Sequence, residues 1–517
     1  MNYELNRSGD IMNFKKWFFK HHKEQNPKNN KAEVDDNLFD LLKQLRGSND
    51  FKEVVIKDGI KKVKLFYFHS LVDRKILHRD IIPYIKKEQV NSVEDVREVV
   101  PSENIETTSD VNKIQNQILS GSCMVQVGEN SQSVALMRAK INKNRNVSIP
   151  EVEFSVVGPK EAFVESLDTN LNLIRKRLPI PELRIEEMTV GKITKSKVAI
   201  LSIEGITNEE NVNTLRERLQ SIEVDSIIDS SYIVQLISDN QNSPFPQLID
   251  TERPDRVAAI LTEGKVAFLV DGAPHAIIAP TTLVEFFSAF EDYFLNWITA
   301  SFFRLVRLFG VFFSILVTPL YVAVLTYHYE LIPKDLLGIL VTSRREIPLP
   351  PILEAIFLEL AIELLREAGA RLPTKVGQTI GIVGGIVIGT ASVEAGLTSN
   401  VLLIFVALAA LASFTTPVYQ IGNTIRLIRF PFLFSAHLWG LLGVSICFCF
   451  FMGHLLRLTS LGRPFLEPIY PPRVKDFKDA FIRLPWTFQS QRPVEVQAQD
   501  TMRFNKKKAK EKKEIDE

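Results

Sequence analysis

The chain has 517 residues, of which 24% are charged, and its formal net charge is +1. This length exceeds that of one compact domain, so we expect at least two units. Three cysteines without a CxxC pair exclude a disulfide framework, and the scattered histidines exclude a zinc site built from local spacing. No cofactor, metal or nucleic-acid partner is predicted.

In the first half of the chain, segments with strand character alternate with segments of helical period. Residues 1–50 are predicted to form a flexible leader and a short helix. Runs of β-branched and aromatic residues predict strands, at 63–68, 124–127, 133–136, 198–203, 227–237, 265–271 and 275–278. Helical spacing predicts helices at 71–87, 114–119, 163–178 and 211–222. The alternation indicates two α/β subdomains, over 51–150 and 151–295.

The second half contains four long uncharged runs. A helix needs about 20 apolar residues to cross a bilayer. The runs predict a transmembrane region over 296–460, with spans near 306–325, 376–394, 399–419 and 432–456. A basic tail over 461–517 favours the cytoplasmic side, and four crossings would return the chain to that side. The predicted fold class is therefore an α/β (or α+β) soluble N-terminal domain followed by an α-helical transmembrane bundle.

A further apolar segment, at 352–369, also carries glutamates. Three of them, Glu359, Glu363 and Glu367, are four residues apart and therefore form one stripe of a helix, with Ile356 and Leu360 on the other side. Two interpretations stay open. The helix could lie on the bilayer surface as an amphipathic segment, or it could line a pore where glutamates of several subunits attract cations. These five residues are the pore-lining candidates.

Four glycines recur at every fourth position of the second predicted span. They are Gly377, Gly381, Gly385 and Gly389. Small residues at this spacing allow helix backbones to approach each other closely in lipid. The repeat therefore predicts helix packing, within one subunit or between subunits.

The chain contains none of the common catalytic signatures. It has no phosphate-binding loop, zinc-protease, nucleophile-elbow or EF-hand pattern. We therefore expect no catalytic residues, and we expect the protein not to be an enzyme.

Several short phrases together resemble the A subunits of the GerA-type nutrient germinant receptors of endospore-forming bacteria. They include Ser243-Pro-Phe-Pro-Gln247, Thr251-Glu-Arg-Pro-Asp255, Glu363-Leu-Leu-Arg-Glu-Ala-Gly369 and Arg492-Pro-Val-Glu495. The resemblance covers roughly residues 65–505. It implies a multi-pass protein of the spore inner membrane, with its N-terminal domain and C-terminal tail on the spore-core side. It also implies a transporter-like B subunit and a lipoprotein C subunit as partners.

The resemblance further implies a function in germination. Such an A subunit would transduce the binding of an amino acid or sugar, as part of an oligomeric membrane channel that releases monovalent cations. Three alternatives stay open: a paralogue that amplifies germination, a scaffold subunit without its own ligand, and a secondary transporter. The sequence shows no duplicated membrane halves of the kind that many transporters contain.

Overall fold

The fold was taken from a computed structural model of the chain. It describes residues 38–57, 62–87, 90–101, 105–128, 131–141, 150, 153, 155–373, 384–386, 389–473 and 475–504.

The first unit is a five-stranded antiparallel sheet with helices on both faces. Its strands run in the order β1-β2-β4-β5-β3 and are β1 (Phe51–Lys57), β2 (Val63–Phe68), β3 (Ile105–Thr108), β4 (Ser122–Val127) and β5 (Val134–Arg138). Helices α1 (Leu38–Leu45) and α4 (Val111–Leu119) cover one face. Four helical segments cover the other face of the sheet: Arg74–Ile76, Leu77–Ile81, α2 (Ile82–Lys87) and α3 (Val93–Val99).

The second unit is also a five-stranded antiparallel sheet. Its strands run in the order β6-β7-β9-β10-β8 and are β6 (Leu183–Val190), β7 (Ser196–Ile203), β8 (Ile249–Thr251), β9 (Val266–Val270) and β10 (Ala276–Ala279). Helices α5 (Leu167–Arg177) and α8 (Pro254–Glu263) cover one face. Helices α6 (Glu209–Gln220) and α7 (Ser230–Ile237) cover the other.

The two units repeat one topology. In each, a helix precedes a strand pair, helical segments follow (74–87 and α3 in the first unit, α6 and α7 in the second), and a short strand, a helix and a second strand pair complete the unit. The short third strand then lies at the sheet edge beside the fifth strand in both units. The N-terminal half therefore contains the same α/β topology twice in succession, which the sequence analysis did not predict.

A buried ion pair joins the two units. The Arg175 guanidinium donates to the Asp50 carboxylate at 2.8 Å, and both side chains are buried. The carboxylate also accepts from the hydroxyls of Ser48 and Ser70, at 2.6 and 2.7 Å. A buried charge needs this complete set of partners to offset its lost hydration.

The C-terminal half is helical. Its helices are α9 (Trp297–Tyr327), α10 (Lys334–Arg344), α11 (Pro351–Arg371), α12 (Asn400–Ser413) and α13 (Tyr419–Arg457). Among the described residues, α9 and α13 are the helices long and apolar enough to cross a membrane. Short 3₁₀ turns, Leu283–Phe287 and Phe290–Phe294, lead from the second sheet into α9.

Helix α13 is a hairpin of two arms. Gly440 has φ +60° and ψ −139°, which interrupts the helix. Phe432 and Phe451 would be about 28 Å apart along a straight helix, but their rings stack at 5.7 Å. The arms 419–439 and 441–457 therefore run antiparallel, with the reversal beside Tyr327 and His328 at the end of α9.

Helices α11 and α12 run antiparallel to α9. Near the start of α11, Glu354 contacts Ser399, and the Ser399 hydroxyl is 3.1 Å from that of Tyr321. Twelve residues later, Arg366 contacts Ser413, at the end of α12. Of the stretch between Arg371 and Ser399, residues 372–373, 384–386 and 389–398 are described.

Several expectations from the sequence need correction. The strand predicted over 227–237 is wrong: Ser230–Ile237 is a helix, whose N-terminus is capped by Asp229 and whose Ile233 and Ile237 are buried four residues apart. The span predicted near 399–419 ends at Ser413, because the helix breaks before Pro417. The span predicted near 432–456 is divided at Gly440.

The segment after the hairpin, predicted as a basic tail, is packed on the second unit in its described part. Strands β11 (Thr459–Ser460) and β12 (Arg463–Pro464) form a small hairpin. The Ser460 hydroxyl donates to Gln247 O at 2.6 Å, and Gln499 N donates to Ile206 O at 2.9 Å. The segment also contains α14 (Phe477–Ala480) and the 3₁₀ turns Trp486–Phe488 and Val494–Val496. The lysine-rich end from 506 onward lies outside the described residues.

Candidate functional site

The acidic helix α11 is well defined by its local sequence. Pro351 at the first turn has the backbone angle that a helix start requires, and Pro373 stops the helix soon after Arg371. Ile352, Ala355 and Leu358 of α11 pack against α9 and α12. The helix predicted at 352–369 is therefore present with slightly wider bounds.

Glu359 lies in the interior of the helical half and pairs with an arginine of α13. Its side chain is 5% exposed, and its carboxylate accepts from the Arg429 guanidinium and from the Thr318 hydroxyl, the latter at 3.0 Å. Arg429 also donates to the Ser314 hydroxyl at 2.7 Å. The four side chains link α9, α11 and the first arm of α13.

Glu354, five residues earlier on α11, has a similar set of partners. Its buried carboxylate accepts from Arg344 at 2.8 Å and from the backbone N–H of Ser399 at 3.2 Å. Arg344, Glu354 and Ser399 therefore connect the C-terminus of α10, the first turn of α11 and the N-terminus of α12. A carboxylate is favoured at the N-terminus of α12 by the helix dipole.

The remaining glutamates of the stripe are more exposed. Glu363 pairs with Arg426 at 3.3 Å and lies 3.7 Å from Arg366. Glu367, which is 61% exposed, pairs with Arg371 at 2.5 Å. The stripe therefore changes from buried to solvated along α11.

The predicted pore-lining residues thus divide between two sides of α11. Glu359 and Glu363 point toward arginines of the same chain, whereas Leu360 is 48% exposed and Ile356 is half-buried. The pore-lining role of these residues stays a prediction. Sequence reasoning missed the partners Arg429 and Arg344. The available signal was a carboxylate stripe within apolar helices, which requires cations nearby.

Two of the four glycines of the predicted repeat lie among the described residues. Gly377 and Gly381 lie outside the described residues. A Cβ added at Gly389 would be 3.7 Å from the Leu403 side chain, and one at Gly385 would meet nothing within 4 Å. A closer approach occurs at Gly310 of α9, where a Cβ would be 2.8 Å from the Thr415 hydroxyl. The packing role of the repeat stays a prediction.

A second charged cluster joins the soluble units to the membrane-type helices. Arg304 on α9, 2% exposed, donates to Asp292 and to Asp479 at 3.0 Å each. Arg307 also donates to Asp292. Arg483 donates to the carbonyl oxygen of Leu295 at 2.9 Å. The second unit, the first turns of α9 and the C-terminal segment are therefore held together at one point.

Tyr293 contributes to the same cluster. Its hydroxyl donates to the Asp479 carboxylate at 2.7 Å. Burial, together with the negative charge of Asp479, raises the pKa of Tyr293 well above 10, so the phenol stays protonated and keeps this bond. Among the described residues, no group of three or more His, Cys, Asp or Glu side chains is placed to hold a metal ion.

Comparison with known proteins identifies the family. The model of the Bacillus/Clostridium GerA spore germination protein family matches residues 39–495. The chain belongs to this family. It is 52% identical over 468 residues to spore germination protein GerQA of Bacillus cereus, which covers 90% of this chain and 94% of the relative.

Other relatives carry similar descriptions. GerIA of Bacillus cereus is 46% identical over 89% of this chain and 69% of its own length. Spore germination protein KA of Bacillus subtilis is 34% identical over 91% of this chain and 88% of its own length. The N-terminal domain of the A subunit of the Bacillus megaterium spore germinant receptor GerK3 matches 47% of this chain and 92% of its own, with 29% identity and a TM-score of 0.35. The family resemblance predicted from the sequence is confirmed, and a role in spore germination follows from it.

Proposed function

We propose that this chain is the A subunit of a nutrient germinant receptor that transduces the binding of an amino acid or sugar into the release of monovalent cations. It works as an oligomer in the spore inner membrane, together with a transporter-like B subunit and a lipoprotein C subunit. It has no catalytic activity. Family membership supports the germination role, and the arrangement of α11 supports the conduction role.

The observation that carries the proposal is the two-sided character of α11. Glu359 is neutralised by Arg429 inside the chain, while the outward side presents Leu360 and its apolar neighbours. In an oligomer, apolar side chains that face a central space form a constriction that excludes water and therefore ions. This conformation would be the closed one, and opening would turn the glutamates toward the ion path.

The helix directions support a multi-pass topology with an even number of passes. Helix α9 leads away from the soluble units, α11 and α12 run antiparallel to it, and the two arms of α13 run antiparallel to each other. An even number of passes leaves the N-terminal units and the C-terminal segment on one side. Their direct packing requires this, because Thr281 N donates to the Ser460 hydroxyl at 3.0 Å.

Polar substitutions on the apolar side of α11 test the conduction proposal. Spores carrying Leu360→Ser or Ile356→Ser should release monovalent cations without a nutrient, because a hydroxyl lowers the cost of wetting the constriction. Cation release is measured by flame photometry of the spore supernatant. Leu442→Ser, at a 64% exposed leucine of α13, is the matched control and should leave release unchanged. Normal resting and nutrient-triggered release in both α11 variants, at equal protein levels, would refute conduction through this chain.

A further inference from the structure

A cavity of about 310 Å³ lies between the second unit and the C-terminal segment. Helix α8 and the 3₁₀ turns before α9 form one wall, and residues between 468 and 503 form the other. Aromatic rings of Tyr293 and Trp486 line part of it, 6.4 Å apart. The cavity is large enough for a small organic molecule.

Three glutamates lie close together on one side of the cavity. Glu263 pairs with Arg503 at 2.6 Å, and Glu285 pairs with Lys265. The third, Glu495, lies beside Glu285 and has no ion-pair partner among the described residues.

Four other cations also line the cavity. Two of them have partners, since Arg256 pairs with Glu153 and Arg492 with Asp500, and the other two are the exposed Lys475 and Lys478. Glu495 is therefore the carboxyl that is left for a bound cation.

An unpaired acceptor lines the same cavity. The side chain of Gln489 is 6% exposed, and its Nε2 donates to the Leu484 carbonyl oxygen at 2.8 Å. Its Oε1 is buried and has no hydrogen-bond partner among the described residues. A buried acceptor without a donor is costly, so this oxygen is suited to a ligand that brings N–H or O–H groups.

The same groups argue against other ligand classes. An anion bound at Glu495 would be repelled by that carboxyl and by the neighbouring Glu263 and Glu285. A hard metal ion would need several oxygen ligands, and the described residues contain no cluster placed to provide them. An ammonium group satisfies both requirements, because it carries one positive charge and three hydrogen-bond donors.

We propose that this cavity binds the ammonium group of a small amine, with Glu495 and Gln489 as its hydrogen-bond acceptors. Two sources share this chemistry: simple alkylamines, and free amino acids, whose carboxylate would be attracted by the exposed Lys475 and Lys478 that also line the cavity.

The position of the cavity connects it to the first long helix. Tyr293 and Asp479 both line the cavity, and Asp479 holds Arg304 of α9. A bound amine would therefore share the cavity with side chains that fix α9 to the second unit. This consequence for signalling rests on the proposed function, whereas binding itself does not.

Binding is coupled to proton release. Burial, followed by the negative charge of the neighbouring Glu285, raises the pKa of Glu495 well above its usual value. Lys265, which directly precedes β9, opposes this rise in the pKa, and Asp476 adds to it. The other charged groups that line the cavity are Glu263 with Arg503, and Arg256, Lys475, Lys478, Asp479 and Arg492. An ammonium group would displace the proton, so the affinity should rise about tenfold per pH unit while the pH remains below the pKa of Glu495.

Calorimetric titration of the purified full-length chain in detergent, in an amine-free buffer, tests the proposal. The probes are n-propylammonium chloride, norvaline and KCl. We expect saturable binding of propylammonium with proton release, tighter binding of norvaline, and no saturable binding of KCl. Glu495→Gln and Gln489→Leu should each weaken amine binding about tenfold or more. Glu210→Gln, at a glutamate outside the cavity whose side chain is 70% exposed, is the matched control.

Three results would overturn the proposal: no saturable binding of either amine, equal binding by wild type and both cavity variants, or KCl binding that Glu495→Gln abolishes. Two cavity variants are used because one of them could fail to fold, which circular dichroism would reveal. Loss of cation release in spores with intact amine binding would contradict the proposed function alone, so the two failures are distinguishable.

Discussion

Individual charged residues carry much of the order in the helical half. Glu359 and Arg429 are both buried, and each has a hydroxyl as second partner, Thr318 for the carboxylate and Ser314 for the guanidinium. Replacing one member of a buried ion pair leaves the other charge unpaired, at a cost of about 3–5 kcal/mol. The pair therefore favours one arrangement of α9, α11 and α13 over alternatives that separate the charges.

Glu359→Gln should lower the stability of the helical half by about 3–5 kcal/mol, because Arg429 loses its counter-charge. The double variant Glu359→Gln with Arg429→Met should recover part of this loss, since no unpaired charge remains. Thermal unfolding in detergent, followed by circular dichroism, measures both. Glu367→Gln is the matched control on the same helix: its exposed pair with Arg371 is worth less than about 1 kcal/mol. Equal effects of Glu359→Gln and Glu367→Gln would show that burial of the pair is unimportant.

At the scale of elements, the reversal within α13 depends on one glycine. Gly440 combines φ +60° with ψ −139°, a conformation that residues with a Cβ rarely adopt. A Cβ there would also be 2.9 Å from the His328 ring and 3.1 Å from Tyr327. The turn and its contact with the end of α9 therefore both require the absence of a side chain.

Gly440→Ala should destabilise the hairpin by about 1–3 kcal/mol, from backbone strain alone. Cysteines introduced at Phe432 and Phe451, whose rings stack at 5.7 Å, report the pairing of the arms once the three native cysteines are replaced by alanine. We expect efficient disulfide formation with Gly440 and reduced formation with Gly440→Ala. Gly453→Ala, which meets no neighbouring atom within 4 Å, should leave cross-linking unchanged. Unimpaired cross-linking in Gly440→Ala would contradict this account of the turn.

At the scale of the whole molecule, contacts link the first unit to the second, the second unit to α9, and the C-terminal segment back to the second unit. The first unit is fixed to the second by Arg175 and Asp50, and the second unit is fixed to α9 by Asp292 and Arg304. After the helices, the C-terminal segment returns to the second unit, where the Asp239 carboxylate accepts from the hydroxyl of Thr459 and, at 2.8 Å, from Gly462 N. Polar contacts therefore connect the first unit, the second unit, α9 and the C-terminal segment within the described part of the chain.

Acid should release the C-terminal segment from the second unit. Burial raises the pKa of Asp239, but hydrogen bonds from Arg218 and Thr459 outweigh it and hold the pKa below the ordinary 3.8. A carboxyl with a depressed pKa in the folded protein contributes stability above its unfolded pKa, and this contribution is lost as the pH falls through the folded value. We therefore expect the protection of 459–464 against hydrogen exchange, measured relative to the intrinsic rate at the same pH, to fall below about pH 4.

Asp239→Asn should show low protection of this segment already at neutral pH, with little further change in protection on acidification. Asp500→Asn, at an exposed carboxylate that pairs with Arg492, is the control and should keep the wild-type pH profile. An unchanged profile in Asp239→Asn would assign the acid sensitivity to other groups.

Much of the architecture was predictable from local patterns. Alternation and helical spacing located most of the strands and helices, since those periods reflect one buried face of each element. The hairpin over 124–136, for example, is present as β4 and β5. The prediction failed at 227–237, where a run of apolar residues fits a strand and a helix equally well, and capping by Asp229 with burial of Ile233 and Ile237 favours the helix.

The sequence by itself determined the family, the mixed α/β first half, the apolar second half and the acidic stripe of α11, because these depend on residue types and short spacings. Only the tertiary structure decided that the two α/β units share one topology, that Glu359 pairs with an arginine 70 positions away, and that α13 reverses at Gly440. Those features depend on contacts between distant parts of the chain. Periodicity within a single element carries no information about which distant side chain will neutralise a buried charge.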